Sequence, residues 1–423
     1  MNYRGPRGTY DVYPEGREPH ERPELWAWVE RVARDFFRRY DYSEVRLPIF
    51  EDAQLFIRSV GEETDIVRKE MFVFRDKGGR ELSLRPEGTA GVVRSYVEHG
   101  LYKIAQPVKV WYMGPMFRHE RQQKGRYRQH YQLGAEVLGS EDPLVDVEVI
   151  SLLCDIHQAL GVEDEVVYLN NLGDLETRKR YAPELRDYLK DHESELDPDS
   201  VSRIETNPLR TFDSKDKNTQ AVLAEGPAIG NFLSEEATWY FDAVKDGLEA
   251  VGVPYAVDER LVRGLDYYTL TVFEAKSAAL GAQDTVGGGG RYNGLVEELG
   301  GPNLPGIGFG TGIERILLAA SAPEEGLLLD VFFVTLVPEA RLLGFSLAAA
   351  LRAEGLACDL DYADRSAKGQ FKQADRMGAR FAVVIGEEEL VAGVCSLRDM
   401  VSGEQRTLAI ADGPGELLRA LRP

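Results

Sequence analysis

Between residues 23 and 40 the apolar side chains Leu25, Val29, Val32, Ala33 and Phe36 recur every three or four positions, with charged residues between them. That period predicts an amphipathic helix. Residues 88–100 read the same way. Other stretches carry strand patterning. Runs at 72–75 and 81–85 are separated by Lys77-Gly78-Gly79 and predict a hairpin. Residues 44–50 are strand-like but interrupted by Pro48. Residues 108–117 and 128–137 predict two long strands joined by a charged connector, 119–127. The texture then changes. Residues 171–240 are acidic and mostly helical, with breaks expected at Pro183, Pro198, Pro208 and Pro227, as in an insertion or lid. Residues 255–320 return to β patterning and close on a helix at 312–320. Pro323, Glu324 and Glu325 place a boundary near 321–328. Beyond it, strands at 330–336, 357–362 and 381–385 alternate with helices at 339–353, 371–377 and 415–421. This rhythm predicts a small α/β domain with a largely parallel sheet.

Composition narrows the class. The 423 residues are 43% hydrophobic and 29% charged, an ordinary globular balance for two or three domains. No run of apolar residues is long enough to span a membrane, and the opening MNYRGPRGTYDVYPEG lacks the apolar segment of a signal peptide. The three cysteines, Cys154, Cys358 and Cys395, are too few and too scattered for a disulfide framework or a metal knuckle. They fit a reducing cytoplasm. The six histidines form no ligand motif, so no protein-held metal is expected. The net charge of −21 argues against a broadly basic nucleic-acid binder. Recognition needs only a local basic surface, however. Residues 326–423 hold 11 Lys+Arg and 14 Asp+Glu, net −3, which leaves −18 on the rest.

Four constellations carry chemistry. In and flanking the connector between the long strands, Arg118, Arg121, Lys124, Arg126 and Arg128 fall within eleven residues, a cation density suited to a polyphosphate. Taken alone, such a loop is more often a solvated hairpin tip. Two glycine runs, 287–290 before Arg291-Tyr292-Asn293-Gly294-Leu295 and 306–312 before Ile313-Glu314-Arg315, permit close backbone approach. Neither has the spacing of a phosphate loop or a dinucleotide fingerprint, and close strand and helix packing accounts for either run equally well. Arg263-Gly264-Leu265-Asp266-Tyr267-Tyr268 packs a cation, a carboxylate and two phenols together. Read as a strand, it would send the two tyrosines to opposite faces, one of them into the core. Arg85-Pro86-Glu87-Gly88-Thr89 sits where a strand passes to a helix. Its carboxylate and hydroxyl suit an ammonium or, more simply, the first turn of that helix.

Together these stretches resemble the class II aminoacyl-tRNA synthetases, and within them the bacterial-type histidyl-tRNA synthetase family. The likeness covers nearly the whole chain. Residues 44–50 resemble motif 1, a dimer element. Phe117-Arg118-His119-Glu120 resembles motif 2, and 306–315 resembles motif 3. RGLDYY at 263–268, GGGGRYNGL at 287–295, RPEGT at 85–89 and NPLRTFDSK at 207–215 resemble family-specific segments. The departures are Asn293 where aspartate is expected, Thr269-Leu270 in place of a more polar pair, and Gly310 where alanine is common.

The resemblance implies an α+β chain. Residues 1–325 would form an antiparallel-sheet catalytic domain with a helical insertion at about 170–245, and 328–423 an α/β anticodon-binding domain. It implies a cytoplasmic homodimeric ligase that activates L-histidine with ATP and Mg²⁺ and charges tRNA(His), with no membrane contact. It assigns Arg118, Glu120, Arg126 and Arg315 to ATP, with Arg118 and Arg263 acting on the α-phosphate. It assigns Glu87, Gly88, Thr89, Gln132, Glu136, Tyr267, Tyr268 and Tyr292 to histidine. Two other readings stay open: a non-catalytic histidine-sensing regulatory subunit of ATP phosphoribosyltransferase, the first enzyme of histidine biosynthesis, and a plain nucleotide-binding module. The regulatory relative usually lacks the C-terminal domain and parts of the catalytic signatures, all present here. The plain module leaves the tyrosine pair and the C-terminal βαβ pattern unexplained.

Overall fold

The structure, a computed structural model, describes residues 3–62, 64–120, 125–281, 284–321 and 329–421. It forms two compact units, Met1–Ala322 and Pro323–Pro423. Most of the expected boundary near 321–328, with Pro323, Glu324 and Glu325, lies outside the described residues, as do Arg121 and Lys124.

Among the described residues, eleven strands belong to the first unit. They are β1 Ser43–Glu44, β2 Phe50–Asp52, β3 Phe72–Arg75, β4 Glu81–Leu84, β5 Val108–Phe117, β6 Gln129–Leu138, β7 Glu165–Asn171, β8 Tyr255–Val257, β9 Thr269–Ser277, β10 Thr285–Arg291 and β11 Gly306–Gly312. Eight of them make one sheet in the order β1-β5-β6-β11-β10-β9-β7-β8. It is antiparallel except at its two edge pairings, β1 with β5 and β7 with β8. β2, β4 and β3 form a separate three-stranded antiparallel sheet.

The interrupted run at 44–50 divides between the two sheets: the chain leaves the first after Val45, whose N–H donates to the Trp111 carbonyl, and enters the second at Phe50, with Pro48 between them. Arg85 bridges the gap. It is buried, and its Nη1 donates to the carbonyls of Leu47 at 3.2 Å and Pro48 at 3.4 Å.

One face of the large sheet is covered by helices Pro23–Arg39, Pro143–Ala159, Glu235–Val251 and Ile313–Ala319, whose apolar stripes share one core. In the first helix Leu25, Val29, Ala33 and Phe37 are buried, so Phe37 rather than Phe36 closes the stripe. The opposite face carries helix Thr89–Glu98 and a second cluster containing Tyr267, Tyr268 and Tyr292.

The insertion packs helices Leu175–Asp191, Pro198–Arg203 and Lys217–Glu225 around Tyr181, Leu185, Leu189, Ile204 and Leu223. Pro183 does not break the helix it was expected to break; it lies inside Leu175–Asp191. Leu185 and Leu189 on the same helix are fully buried, and that packing holds the helix through the lost hydrogen bond.

In the second unit β12 Val331–Thr335, β13 Cys358–Leu360, β14 Phe381–Ile385, β15 Val394–Asp399 and β16 Gln405–Ala409 form a sheet in the order β13-β12-β14-β15-β16. The expectation of a largely parallel sheet is corrected. β12 pairs in parallel with β13 and β14, but β14–β15 and β15–β16 are antiparallel. β16 alternates poorly, since four of its five residues are exposed, so its pattern carries little strand signal.

Candidate active site

The floor of the site follows from the period of a strand. In β11, Gly306, Gly308 and Gly310 alternate with Ile307, Phe309 and Thr311. Side chains alternate between the two faces of a strand. The apolar members therefore enter the helix-covered core, and the glycines leave the other face bare. The neighbouring β6 presents Gln132 and Glu136 on that bare face. A methyl on Gly308 would strike the Glu136 carboxylate, and one on Gly310 would strike the Gln132 amide. The glycine run makes room for two polar side chains.

Glu136 is wholly buried. Thr89 Oγ1 donates to it at 2.7 Å, the Tyr292 hydroxyl at 2.6 Å and the Tyr112 hydroxyl at 3.5 Å. Burial pushes its carboxyl up to about 8, against the pull of those donors. Glu87, also buried, accepts from the backbone N–H of Thr89 at 2.6 Å and Ala90 at 2.9 Å at the start of helix Thr89–Glu98. Burial outweighs these bonds and raises its carboxyl as well. Gly88, between Glu87 and Thr89, lies against the Tyr112 ring, which a side chain there would strike.

Tyr267 and Tyr268 do not lie in a strand. They sit in the loop before β9, and both are buried on the same side. Their rings meet edge to face at 4.7 Å, and Tyr267 meets Tyr292 at 5.6 Å. The expectation of opposite faces fails because the alternation rule applies only to extended backbone. Burial holds the hydroxyls of Tyr112, Tyr267, Tyr268 and Tyr292 above their ordinary range, so the pocket is walled by neutral phenols.

Beside it opens a cavity of about 360 Å³ lined by Arg118, Glu120, Arg126, Gln132, Arg263 and Arg315. Each cation is held from behind. Arg118 Nε donates to the Pro86 carbonyl at 2.8 Å. Arg126 pairs with Glu120 at 3.2 Å. Arg315 Nε donates to the Thr285 carbonyl at 2.6 Å. Arg263 pairs with Glu274 and lies over Gly288, where a methyl would come within 3.0 Å of its Nη1. Burial opposes the Arg263 charge, yet Glu274 and Tyr268 together hold the guanidinium above its ordinary value. For Arg315 burial prevails, with Arg126 adding repulsion, so its charge is held at a cost that an anion would relieve. Gln132 Oε1 is buried and has no partner among the described residues, an acceptor left for a ligand.

Every expected site residue thus falls in the buried pocket or in the adjoining cavity. Sequence reasoning missed several others. His130 on β6 lines the cavity, and burial followed by the charge of Arg118 lowers its imidazole to about 3. It is a neutral ring at the cleft wall. Glu274 and Tyr112 were missed as well; alternation along β9 and β5 gives no sign of which polar residue faces a ligand. Strict alternation of glycine with larger residues in 306–312 was the available signal for the floor.

Known proteins match this chain over nearly its whole length. Residues 17–316 match the family model for histidyl-tRNA synthetase, and residues 330–419 match that for an anticodon binding domain. The chain is 72% identical to a histidine–tRNA ligase of Rubrobacter xylanophilus, with 100% of both chains covered. It is 47% identical to that of Lysinibacillus sphaericus, over 97% of this chain and 98% of the relative. The apo structure of Staphylococcus aureus histidyl-tRNA synthetase superposes with a TM-score of 0.81 at 39% identity, covering 99% of each chain.

Proposed function

The chain belongs to the histidyl-tRNA synthetase family, and we infer that it activates L-histidine with ATP to histidyl-adenylate and transfers the histidyl group to the 3′ end of tRNA(His). The observation that carries this reading is the juxtaposition of a four-arginine cavity with a buried pocket built on Glu136.

In the first step an oxygen of the histidine carboxylate attacks the α-phosphorus of ATP. The bond to the β-phosphate bridging oxygen breaks, and pyrophosphate leaves. Negative charge gathers on the α-phosphate oxygens, and preorganised cations there are the strongest available stabiliser. Arg118 and Arg263 take this role, and Arg315 holds the distal phosphates. Arg126 and Glu120, paired at 3.2 Å, complete the ATP side. Glu87, Thr89 and the unpartnered amide of Gln132 bind the amino and carboxylate ends of histidine. Glu136 and the hydroxyl of Tyr268 pair with the two ring nitrogens, and Tyr267 and Tyr292 close the pocket around the ring. A site built to pair both nitrogens rejects side chains that leave its polar groups unmatched. In the second step a ribose hydroxyl of the terminal adenosine attacks the histidyl carbonyl, and AMP leaves.

Mg²⁺ arrives as part of the nucleotide substrate. Among the described residues no three potential ligands converge on one point, and phosphate-bound Mg²⁺ needs at most one or two protein carboxylates. Its chemistry is neutralisation of the outgoing pyrophosphate.

We further infer a homodimer. Phe50 and Phe74, 55% and 41% exposed, bring their rings to 6.3 Å on one face of the β2-β4-β3 sheet, an apolar patch of the kind that seeks a partner. Among the described residues no helix is long and apolar enough to cross a membrane.

The regulatory-subunit reading has against it the anticodon-binding match at 330–419 and the intact set of cavity arginines. Histidine-dependent ATP–pyrophosphate exchange, with the other amino acids as controls, tests the function. Exchange with histidine alone is expected. Histidine binding without exchange would return the chain to the regulatory reading.

A further inference from the structure

Arg263 sits on a loop, residues 261–268, that has no strand or helix of its own to fix it. Its hold comes from the helical insertion. Asp266 Oδ1 accepts from Asn207 Nδ2 at 2.9 Å and from Arg210 Nε at 2.7 Å. Arg210 Nη2 lies 2.6 Å from the same carboxylate oxygen. Arg210 Nη1 donates at 3.1 Å to the backbone carbonyl of Arg263 itself, which also accepts from the Leu265 N–H at 2.8 Å. Arg178, from the first helix of the insertion, donates to the carbonyl of Tyr268.

Opposite the insertion, the Asp266 N–H donates to the Val60 carbonyl at 3.1 Å. Gly61, with φ of 101°, lets the Asp266 carboxylate approach so closely that a methyl there would come within 2.8 Å of its Cγ. The loop is gripped from both sides. The insertion side supplies two arginines, one buried and one half-buried, and one amide, all aimed at the six residues from Arg263 to Tyr268.

We propose that Arg210, Asn207 and Arg178 of the insertion are positioning residues for adenylation, holding the 261–268 backbone so that Arg263 faces the α-phosphorus and Tyr268 faces the imidazole. None of the three lies on the cleft, so they act only through the loop. The physical need is tight tolerance: a displacement of about 1 Å at a catalytic group costs on the order of a hundredfold in rate. Arg210 is the central member because one guanidinium bonds both the Asp266 carboxylate and the Arg263 carbonyl. The inference rests on the adenylation reading of the site.

The test is single-turnover adenylate formation by the full chain at saturating histidine and MgATP, in two backgrounds. In the wild-type background Arg210→Gln is expected to slow the step by about tenfold or more, with the KM for ATP changed by less than about threefold. Arg210→Lys, which keeps the charge but not the fork, is expected to recover part of the loss. In the Arg263→Ala background Arg210→Gln is expected to cost less than about twofold further, because the group it positions is gone.

The same fold-loss in both backgrounds, or an R210Q rate within about twofold of wild type, overturns the proposal. If Arg210→Gln fails to fold by circular dichroism, Asn207→Ala replaces it. It removes one hydrogen bond from an uncharged donor to Asp266, and its smaller loss is likewise expected to vanish when Arg263 is absent. Wild-type exchange reports separately on the parent reading: no wild-type exchange would overturn the function itself, whereas wild-type exchange beside an unaffected R210Q overturns only the positioning role.

Discussion

Glu136 shows how one buried carboxyl sets both specificity and pH response. Burial raises it to about 8, so at neutral pH it is mostly protonated before histidine arrives. The incoming imidazole titrates near 6.5 in water. Below about 6.5 both partners carry their titrating proton, and a protonated carboxyl facing an imidazolium sets two donors against each other. Above about 8 the carboxylate accepts from the N–H that neutral imidazole keeps, so the match is retained. The apparent affinity for histidine should therefore fall on the acid side and level off above neutrality. The KM for histidine in the exchange assay between about pH 5.5 and 8.5 checks this; a KM that does not rise toward the acid end would contradict it. Glu136→Gln should weaken histidine binding well beyond ATP binding.

The same shift bears on stability. A carboxyl raised in the folded state binds its proton more tightly there than in the unfolded chain, whose glutamates titrate near 4.3. Its favourable contribution is full below about 4.3 and is lost as pH rises through the folded value. Glu314, pushed up to about 7 by burial while accepting from Tyr10 and from the Tyr131 N–H, acts in the same sense. The ligand-free chain should have a lower urea midpoint at pH 8 than at pH 5.5, and histidine should narrow the gap. Arg263→Ala should lose adenylation by about 10²–10³-fold with the fold retained, since it removes charge stabilisation at the α-phosphate. A single-turnover change under about threefold would dismiss the role.

At the scale of elements, the glycine strands separate two effects that a glycine-to-alanine change usually confounds. At Gly289 an added methyl would meet backbone, the carbonyl of Gly308 and the Phe309 Cα at 2.7 Å. The sheet has to open, and about 1–3 kcal/mol of stability should go with it. At Gly310 the obstacle is the amide end of Gln132, which can swing aside. Gly310→Ala should thus keep its melting temperature within a few degrees and raise the KM for histidine as Gln132 leaves its place, while Gly289→Ala should melt early. Thermal melts beside exchange kinetics distinguish them; the reverse ranking would show that β11 does not face the ligand. This distinction was not legible in the sequence, where both runs read equally as close packing. Helices were legible where a stripe was clear, as in Pro23–Arg39, because burial follows the 3.6-residue period. The RGLDYY loop was legible as chemistry but not as geometry: nothing local to it specifies its shape, which Arg210, Asn207 and Val60 impose from distant parts of the chain. β15 was missed although its residues 395–397 are buried, since the helix before it, Glu387–Ala392, opens on three glutamates and buries none of its residues, so it shows no apolar stripe to mark the rhythm.

Across the whole molecule, charge and chemistry are distributed unequally. The residues proposed for adenylation all fall within Met1–Ala322, while the anticodon-binding match falls within Pro323–Pro423. Of the net −21, only −3 lies in residues 326–423. A polyanion as large as a tRNA therefore meets an acidic protein and has to be held by local cations against the overall field. Such binding depends on releasing counterions from neutralised phosphates. With about five phosphate contacts, the logarithm of affinity falls against the logarithm of salt with a slope of about −4, and a fourfold rise in salt weakens binding on the order of a few hundredfold. Adenylation involves small ligands enclosed in the cleft, where bulk salt screens little. Raising KCl from about 50 to about 200 mM should therefore raise the KM for tRNA steeply while leaving histidine-dependent exchange within about threefold. Parallel loss of both activities would place the salt-sensitive contacts in the catalytic cleft. A flat tRNA response would mean that neutral contacts, not phosphates, dominate the interface.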